Sequence, residues 1–240
     1  MASSYLPQVV MLSLWRNDSS RNFLDRVTHL LSKSYPRLRW VWVVGDSRDL
    51  TETLLRDVAK GHNGHRSIEV IRADTGIEGD EPPDRMRRLS LTASAGLDAV
   101  TPADDYVLIH ESDLISPVDL VERFLESGRS PIAGWPVLGE ANVFYDIWAY
   151  RGMDGLKFTG LPPYHQSYKA DALFEVSSVG SCWMFRAEDA LAGVRCEKWG
   201  AVELCQKLKR LGRRIWVDPT IRIEQPMGLF VARRWQEVED

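Results

Sequence analysis

Residues 40–47 read WVWVVGDS, five β-branched or aromatic residues followed by a glycine and an aspartate that end the run. A strand that is apolar on both faces is typical of a parallel sheet covered by helices on each side. In such sheets ligands bind at the carboxyl ends of the strands. The stretch therefore predicts a fully buried strand at 40–44 with a ligand-facing turn at Asp46.

Similar β-rich runs lie on both sides of this strand and alternate with helical patterns, as in βαβ units. In residues 23–32, for example, apolar residues recur at spacings of three and four, which suits one face of a helix. The first half is expected to contain strands at 9–14, 40–44, 68–71 and 106–109, and helices at 23–32, 51–60 and 85–99.

The second half is less regular. Residues 142–168 are dense in aromatics, glycine and proline without periodicity, which predicts substrate-binding loops. Strands are expected at 132–137, 181–185 and 214–217, and helices at 117–126 and 202–211. The pattern as a whole predicts an α/β fold, a single domain over residues 1–240 with a mostly parallel central sheet flanked by helices.

Composition is that of an ordinary globular protein, with 240 residues, 44% hydrophobic and 27% charged. This composition excludes disordered and disulfide-stapled classes. Three cysteines without a CxxC pair favour a reducing compartment. Neither a long apolar run nor a signal-peptide pattern is present, so we expect a cytoplasmic protein with no membrane partner.

Charge is unevenly distributed along the chain. The net charge is −4, yet residues 207–234 carry eight basic residues against two acidic ones. This distribution excludes a uniform non-specific nucleic-acid binder. A local surface for an anionic ligand and an ordinary solvated helix face both remain open.

The triplet Glu111-Ser112-Asp113 follows the apolar run 106–109 directly. Two carboxylates at a strand end suit a hard divalent cation, Mg²⁺ or Mn²⁺, which would orient a diphosphate and neutralise it as a leaving group. A solvated acidic loop is the alternative interpretation.

Other polar residues follow the remaining strands of the first half. Trp15 and Arg16 come after the first strand, and Asp46 and Asp74 after the second and third. For each aspartate the alternative is a helix cap or a turn. Arg85 suits a phosphate contact, or an ion pair with the acidic residues around it.

The ordered set of motifs resembles GT-A-type glycosyltransferases, and most of all family 2 transferases and Anp1-like mannosyltransferases. The resemblance spans roughly residues 9–225. The segments that carry it are SLWRNDSS (13–20), LSKSYPRLRWVWVVGDSRD (31–49), YVLIHESD (106–113), FYDIWAYR (144–151), GSCWMFRAED (180–189) and LKRLGRRIWVDPTIRIE (208–224).

The resemblance implies a GT-A-like domain in which residues 8–117 bind the nucleotide and residues 118–240 bind the acceptor. Within it, Glu111 and Asp113 would hold the ribose-phosphate and the metal, and Arg85 would approach the diphosphate. The donor-binding residues implied in this way are Trp15, Arg16, Asp46, Asp74, Arg85 and Glu111. The acceptor-binding residues are Asp146, Trp148 and His165.

Two departures from the family pattern concern the catalytic groups. Gly200-Ala201 stands where many inverting members carry a Glu-Asp pair, so Glu203, the nearest acid, becomes the candidate base, unless the enzyme is retaining. The histidine that often closes the metal site falls at Gln225, whose carbonyl oxygen would complete a set with Asp113 and Glu111.

These observations predict a metal-dependent transfer of a sugar from a UDP- or GDP-sugar to the hydroxyl of a saccharide or of a hydroxymethylated pyrimidine in DNA. A sugar nucleotidyltransferase is the second interpretation, although the loop after the first strand contains no glycine. The absence of GxGxxG argues against a dehydrogenase. A non-catalytic nucleotide- or carbohydrate-binding module is a further interpretation, which the missing Glu-Asp pair favours.

Overall fold

In the computed structural model the run 40–44 forms the middle of strand β2, Leu38–Gly45, and all five of its side chains are fully buried. The strands on either side of it, β1 (Val9–Trp15) and β3 (Ile68–Ala73), both pair with β2 in parallel. The structure describes residues 5–19, 22–62, 67–79, 81–139, 143–146, 148–158 and 171–226.

The remaining elements follow in chain order. The other strands are β4 (Tyr106–Glu111), β5 (Ile132–Leu138), β6 (Val143–Phe144), β7 (Phe174–Val176), β8 (Cys182–Arg186) and β9 (Ile215–Gln225). The helices are α1 (Phe23–Leu31), α2 (Thr51–Gly61), α3 (Pro82–Asp98), α4 (Leu120–Glu126), α5 (Ala187–Leu191) and α6 (Gly200–Arg210).

The nine strands of the described residues belong to one sheet with the order β3-β2-β1-β4-β8-β5-β9-β7, and β6 pairs with β5. β8 is antiparallel to both β4 and β5, and β9 is parallel to β5. The carboxyl ends of six strands, β1 to β5 and β9, therefore lie at the same edge of the sheet. We call this edge the carboxyl edge and the opposite one the amino edge.

Helices cover both faces of the sheet. α3, α5 and α6 pack into one apolar core, and α1, α2 and α4 pack into the other. Helix α3 lies close to the sheet at Gly96, where an added Cβ would come within 2.9 Å of Val43. The sequence-based prediction of an α/β domain with a mostly parallel sheet between helices is confirmed.

α4 and β9 differ from the sequence-based expectation. α4 starts at Leu120 rather than at residue 117, because residues 117–119 form a turn closed by a hydrogen bond from the Leu120 N–H to the Pro117 carbonyl, 3.2 Å. β9 continues to Gln225 beyond the predicted end at 217. Its register against β5 shifts between Val217 and Arg222, a stretch that includes Pro219, which cannot donate to the ladder.

The short elements β6, β7 and α5 were not predicted, because runs of two to five residues carry no readable periodicity. Within the described residues, every helix is too short or too polar to cross a bilayer.

Candidate functional site

The carboxyl edge gathers acidic side chains from distant parts of the chain. Glu111 ends β4, and its N–H donates to the Ser181 carbonyl at 3.1 Å. The Ser181 hydroxyl donates to Asp146 Oδ2 at 2.6 Å, and the Ala149 N–H donates to Asp146 Oδ1 at 3.2 Å. Ser181 therefore joins Glu111 to Asp146, 35 residues apart in sequence.

The end of β9 holds the Asp113 side chain in place. Ile115 and Glu224 exchange two backbone hydrogen bonds of 2.8 and 2.7 Å, which bring β9 against the loop after β4. Gln225 Nε2 then donates to Asp113 Oδ2 at 3.0 Å. The two residues that the sequence analysis joined as metal ligands are thus in contact, although 112 positions separate them.

Electrostatics at this cluster disfavour further negative charge. Burial, followed by the Asp113 and Asp146 carboxylates, raises the pKa of Glu111 well above its usual value, and Arg85 partly offsets this. Burial likewise raises the pKa of Asp146, against its hydrogen bonds. Burial and the three carboxylates raise the pKa of Tyr145 to about 12. A cation at this place would relieve the repulsion.

The side chains at this cluster suit a divalent cation, since carboxylate and amide oxygens are the ligands that Mg²⁺ and Mn²⁺ prefer. Within the ranges that the structure describes, no three His, Cys, Asp or Glu side chains are arranged as a complete metal-binding group. Two carboxylates would leave most coordination positions to substrate oxygens and water, which is usual for Mg²⁺ at phosphate sites.

A buried polar network supports the loop that carries Asp113. All three polar groups of Ser116 are engaged. Its N–H donates to His29 Nε2 at 2.9 Å, its carbonyl accepts from Lys33 Nζ at 3.0 Å, and its hydroxyl bonds His110 Nε2 at 2.8 Å. Lys33 and His110 have no exposed surface.

The hydrogen bonds define the histidine tautomers. His110 Nδ1 lies 2.8 Å from the Glu111 carbonyl, which only accepts, so Nδ1 carries a proton. Burial lowers the pKa of His110 to about 3, so its Nε2 carries none and accepts from Ser116. His29 Nε2 accepts from the Ser116 N–H and also lies 3.1 Å from Lys33 Nζ, so this ring is neutral as well. Sequence reasoning missed this network, although His110 stands inside the quoted YVLIHESD segment.

Acid should weaken the folded state through His29. Burial and then Lys33 lower its pKa from 6.5 to about 4. Below pH 6.5 the unfolded chain binds a proton that the folded chain refuses until about pH 4, so stability falls as the pH falls through this window. Between pH 7 and pH 4 we expect His29 to cost about 1 to 2 kcal/mol, a value reduced because the ring is partly exposed.

Urea unfolding of wild type and His29→Gln at pH 7, 6, 5 and 4 measures this cost, because glutamine accepts the same hydrogen bonds without titrating. The variant should gain on wild type as the pH falls. His62→Gln, at the exposed end of α2, serves as the control. Parallel pH curves for wild type and His29→Gln would contradict the prediction.

The predicted donor-binding residues lie along the other half of the carboxyl edge. Asp46 accepts from the Thr75 N–H at 2.9 Å and from the Thr75 hydroxyl, which joins the turns after β2 and β3. Asp74 is exposed and pairs with Arg72 at 2.6 Å. Arg16 is partly buried, and Arg85 is exposed at the start of α3.

Backbone strain concentrates at the same edge. Among the described non-glycine residues, Asn17, Asp46 and Ser181 have left-handed φ values of 47°, 47° and 59°. Such conformations cost about 1 to 3 kcal/mol each and persist where the surrounding structure enforces them. Their positions, after β1, after β2 and before β8, all lie at the carboxyl edge.

Trp15 differs from its predicted role. Its side chain is 1% exposed and packs against Phe23 and Trp42, with ring centroids 5.7 and 6.1 Å away. Successive side chains of a strand point to opposite faces of the sheet, and the Trp15 side chain points into the core between the sheet and its helices. The Trp15 indole is therefore a core side chain, which disfavours its predicted contact with the donor.

On the acceptor side the structure describes two of the three predicted residues. Trp148 is 60% exposed, and Lys157 Nζ lies 5.2 Å from the centre of its ring. Asp146 is buried and held by Ser181, so it orients the loop rather than facing solvent. His165 lies outside the described residues.

Glu203 also differs from its predicted role as the base. Its Oε2 accepts the backbone N–H groups of residues 197, 198 and 199 at 2.9, 3.0 and 3.3 Å, and its Oε1 pairs with Lys207 at 2.9 Å. Burial opposes ionisation, but these donors outweigh it and lower the pKa of Glu203 to about 2. A carboxylate so stabilised is a poor proton acceptor.

Glu203→Gln should therefore leave turnover unchanged and reduce the free energy of unfolding by about 1 to 2 kcal/mol, because the charged acceptor at the start of α6 is lost. Steady-state kinetics and urea unfolding test the two parts. Glu197→Gln, at an exposed neighbouring carboxylate, should change neither. A hundredfold loss of turnover in Glu203→Gln would restore the base hypothesis.

No protein-family model and no curated protein matches this sequence. Solved structures do match it in fold. GalNAc-T7 with UDP, GalNAc and Mn²⁺ superposes with a TM-score of 0.63 and 14% identity over 93% of this chain. The mannosyltransferase PcManGT from Pyrobaculum calidifontis with GDP-Man and Mn²⁺ gives 0.61 and 15% over 97%. S. aureus TarS with UDP-GlcNAc gives 0.58 and 11% over 92%.

The chain spans 44%, 60% and 59% of the lengths of these three proteins. At identities this low, the superpositions establish a shared fold and nothing finer. The expectation of a GT-A-type domain, drawn from the order of the sequence motifs, is confirmed at the level of architecture.

Proposed function

We propose that this chain is a glycosyltransferase that moves a sugar from a nucleotide-sugar to an acceptor hydroxyl at the carboxyl edge. One observation carries the proposal. Glu111, Asp113 and Gln225 converge at the carboxyl edge of a GT-A-type fold, although their segments are far apart in sequence. The fold neighbours hold UDP, UDP-GlcNAc or GDP-Man, two of them together with Mn²⁺.

Donor binding is proposed to use residues 8–117. Asp46, held by Thr75, would face the nucleoside, with Asp74 and Arg16 on either side of it. Arg85 is exposed and acts electrostatically on Glu111 and Tyr145, which supports a contact between its guanidinium and the diphosphate.

Glu111 and Asp113 would hold Mn²⁺ or Mg²⁺, with Gln225 as a third group if its carbonyl oxygen turns inward. The cation would supply charge neutralisation to the departing diphosphate. Ser116 and its buried partners keep the Asp113 loop in place, so little reorganisation is needed when the donor binds.

The acceptor oxygen forms a bond to the anomeric carbon, and the bond from that carbon to the diphosphate oxygen breaks, with its electron pair leaving on the diphosphate. The acceptor O–H bond also breaks, and its proton passes to the departing diphosphate or to water. The exposed ring of Trp148 suits stacking against an acceptor sugar, in the part of the chain from 118 onward.

A saccharide hydroxyl is the acceptor that we favour over modified DNA. The basic segment 207–234 suggested a polyanion, but much of its charge is already paired within the described residues. These pairs are Lys207–Glu203, Arg213–Glu188, Arg213–Asp189 and Arg214–Glu175, at 2.9, 2.7, 2.9 and 2.6 Å.

The test is a panel of UDP- and GDP-sugars with Mn²⁺, each incubated with the protein and either simple saccharides or duplex DNA containing hydroxymethylcytosine. Released nucleoside diphosphate and the product mass are measured. We expect transfer to a saccharide, loss of activity in EDTA and recovery on adding Mn²⁺. Donor binding without release would instead identify a non-catalytic binding module, and a mass increase on DNA would identify the modified base as acceptor.

A further inference from the structure

A polar cavity lies at the amino edge of the sheet, opposite the acidic site. It has a volume of about 550 Å³ and is open to solvent on one side, between the start of β4, the end of β8 and the loop before β5. We call it the arginine cavity. Its lining residues are Tyr106, Phe124, Leu125, Gly128, Arg129, Ser130, Arg186, Glu188 and Arg213.

Two of its arginines rest on aromatic rings. The Arg186 guanidinium lies 4.6 Å from the centre of the Tyr106 ring, since the two residues are paired across β8 and β4. The Arg129 guanidinium lies 4.6 Å from the centre of the Trp216 ring. Stacking restricts each side chain and leaves its N–H groups directed outward around the ring.

Neither of these two guanidinium groups has a hydrogen-bond or ion-pair partner in the part of the chain that the structure describes. This sets them apart from Arg213, which pairs with Glu188 and Asp189 at 2.7 and 2.9 Å. Two stacked, unpaired arginines therefore line one cavity.

The nearby acids do not neutralise the stacked pair. Glu188 and Asp189 are both engaged by Arg213. Glu175 is engaged by Arg214, whose guanidinium covers Trp216 at 4.7 Å from the ring centre. These three carboxylates thus already have cationic partners, and they leave the charge of Arg129 and Arg186 available to a ligand.

We propose that the arginine cavity binds a small molecule that carries two or more phosphate groups. Arginine forks match phosphate oxygens, and two forks from different elements favour a polyvalent anion over a single carboxylate. The volume lies in the range of small-molecule sites. The Ser130 hydroxyl in the same wall is buried and has no partner among the described residues, so a ligand oxygen would satisfy it after rotation about χ1.

The site shares no residue with the carboxyl edge, so the inference is independent of the proposed transferase activity. Isothermal titration with inorganic pyrophosphate tests it, in EDTA to suppress metal-dependent diphosphate binding at the acidic site. We expect wild type to bind, and Arg129→Gln and Arg186→Gln each to lose affinity by about tenfold or more. Arg186→Lys should recover part of the loss, because charge returns without the fork.

Arg123→Gln is the matched control, since Arg123 lies on the neighbouring helix α4 and is paired with Asp119 at 2.9 Å. It should bind pyrophosphate like wild type. The proposal is overturned if wild type fails to bind, if Arg123→Gln loses as much affinity as Arg186→Gln, or if only Arg85→Gln abolishes binding. Displacement of pyrophosphate by duplex DNA but not by ATP would also overturn it, in favour of a polymeric ligand.

Discussion

Asp113→Asn should fold normally and lower kcat by about 10³-fold, which corresponds to about 4 kcal/mol of transition-state stabilisation. The substitution keeps the side-chain shape, and Asn Oδ1 still accepts a hydrogen bond from Gln225. It removes the negative charge that would hold the cation against the leaving diphosphate. The loss should therefore appear in kcat more than in donor affinity measured without metal.

Steady-state kinetics over a range of Mn²⁺ concentrations, together with urea unfolding, check this expectation. Asp57→Asn is the matched control, because Asp57 is an exposed aspartate on α2 paired only with Lys60 at 3.4 Å among the described residues. It should have wild-type kinetics. If folded Asp113→Asn turns over within threefold of wild type at saturating Mn²⁺, Asp113 does not hold the cation.

Trp15→Ala should reduce the free energy of unfolding by about 3 to 5 kcal/mol, the usual cost of removing a large buried aromatic side chain. The indole is 1% exposed between Phe23 and Trp42. Its N–H has no hydrogen-bond partner among the described residues, so Trp15→Phe removes no polar contact there and should cost less than the alanine substitution.

Urea unfolding measures both variants, with Trp148→Ala as the control for loss of an exposed tryptophan, which should hardly change stability. Donor affinity is then measured in the folded Trp15→Phe variant. We expect it to match wild type because the ring faces the core. A tenfold loss of donor affinity without loss of stability would show that Trp15 contacts the nucleotide after all.

The first half of the fold was readable from sequence because each element carries its own periodicity. The run 40–44 predicted the buried strand, and spacings of three and four predicted α1. Parallel strands also place their carboxyl ends at one edge of the sheet, so residues that follow such strands were expected to lie at that edge. Glu111 and Asp46 were found in this way.

The second half was less predictable because its contacts join distant segments. Nothing local to residues 218–225 shows that β9 continues past Pro219 to meet Ile115. The network around Ser116 draws on His29 and Lys33, more than 80 positions away. Such pairings follow from the closure of the sheet and leave no periodic signal.

Sequence by itself determined the fold class, the polar carboxyl edge and the acidic turn at Glu111-Ser112-Asp113, because these follow from local hydrophobic pattern and from the direction of parallel strands. The tertiary structure alone decided which polar or aromatic side chains face that edge. It buried Trp15, bound Glu203 to the N–H groups of the residues just before α6, and set Gln225 on Asp113. The reason is that residue type sets the chemistry of a side chain, whereas packing and hydrogen-bond partners decide whether its polar atoms face the carboxyl edge or are already bound within the protein.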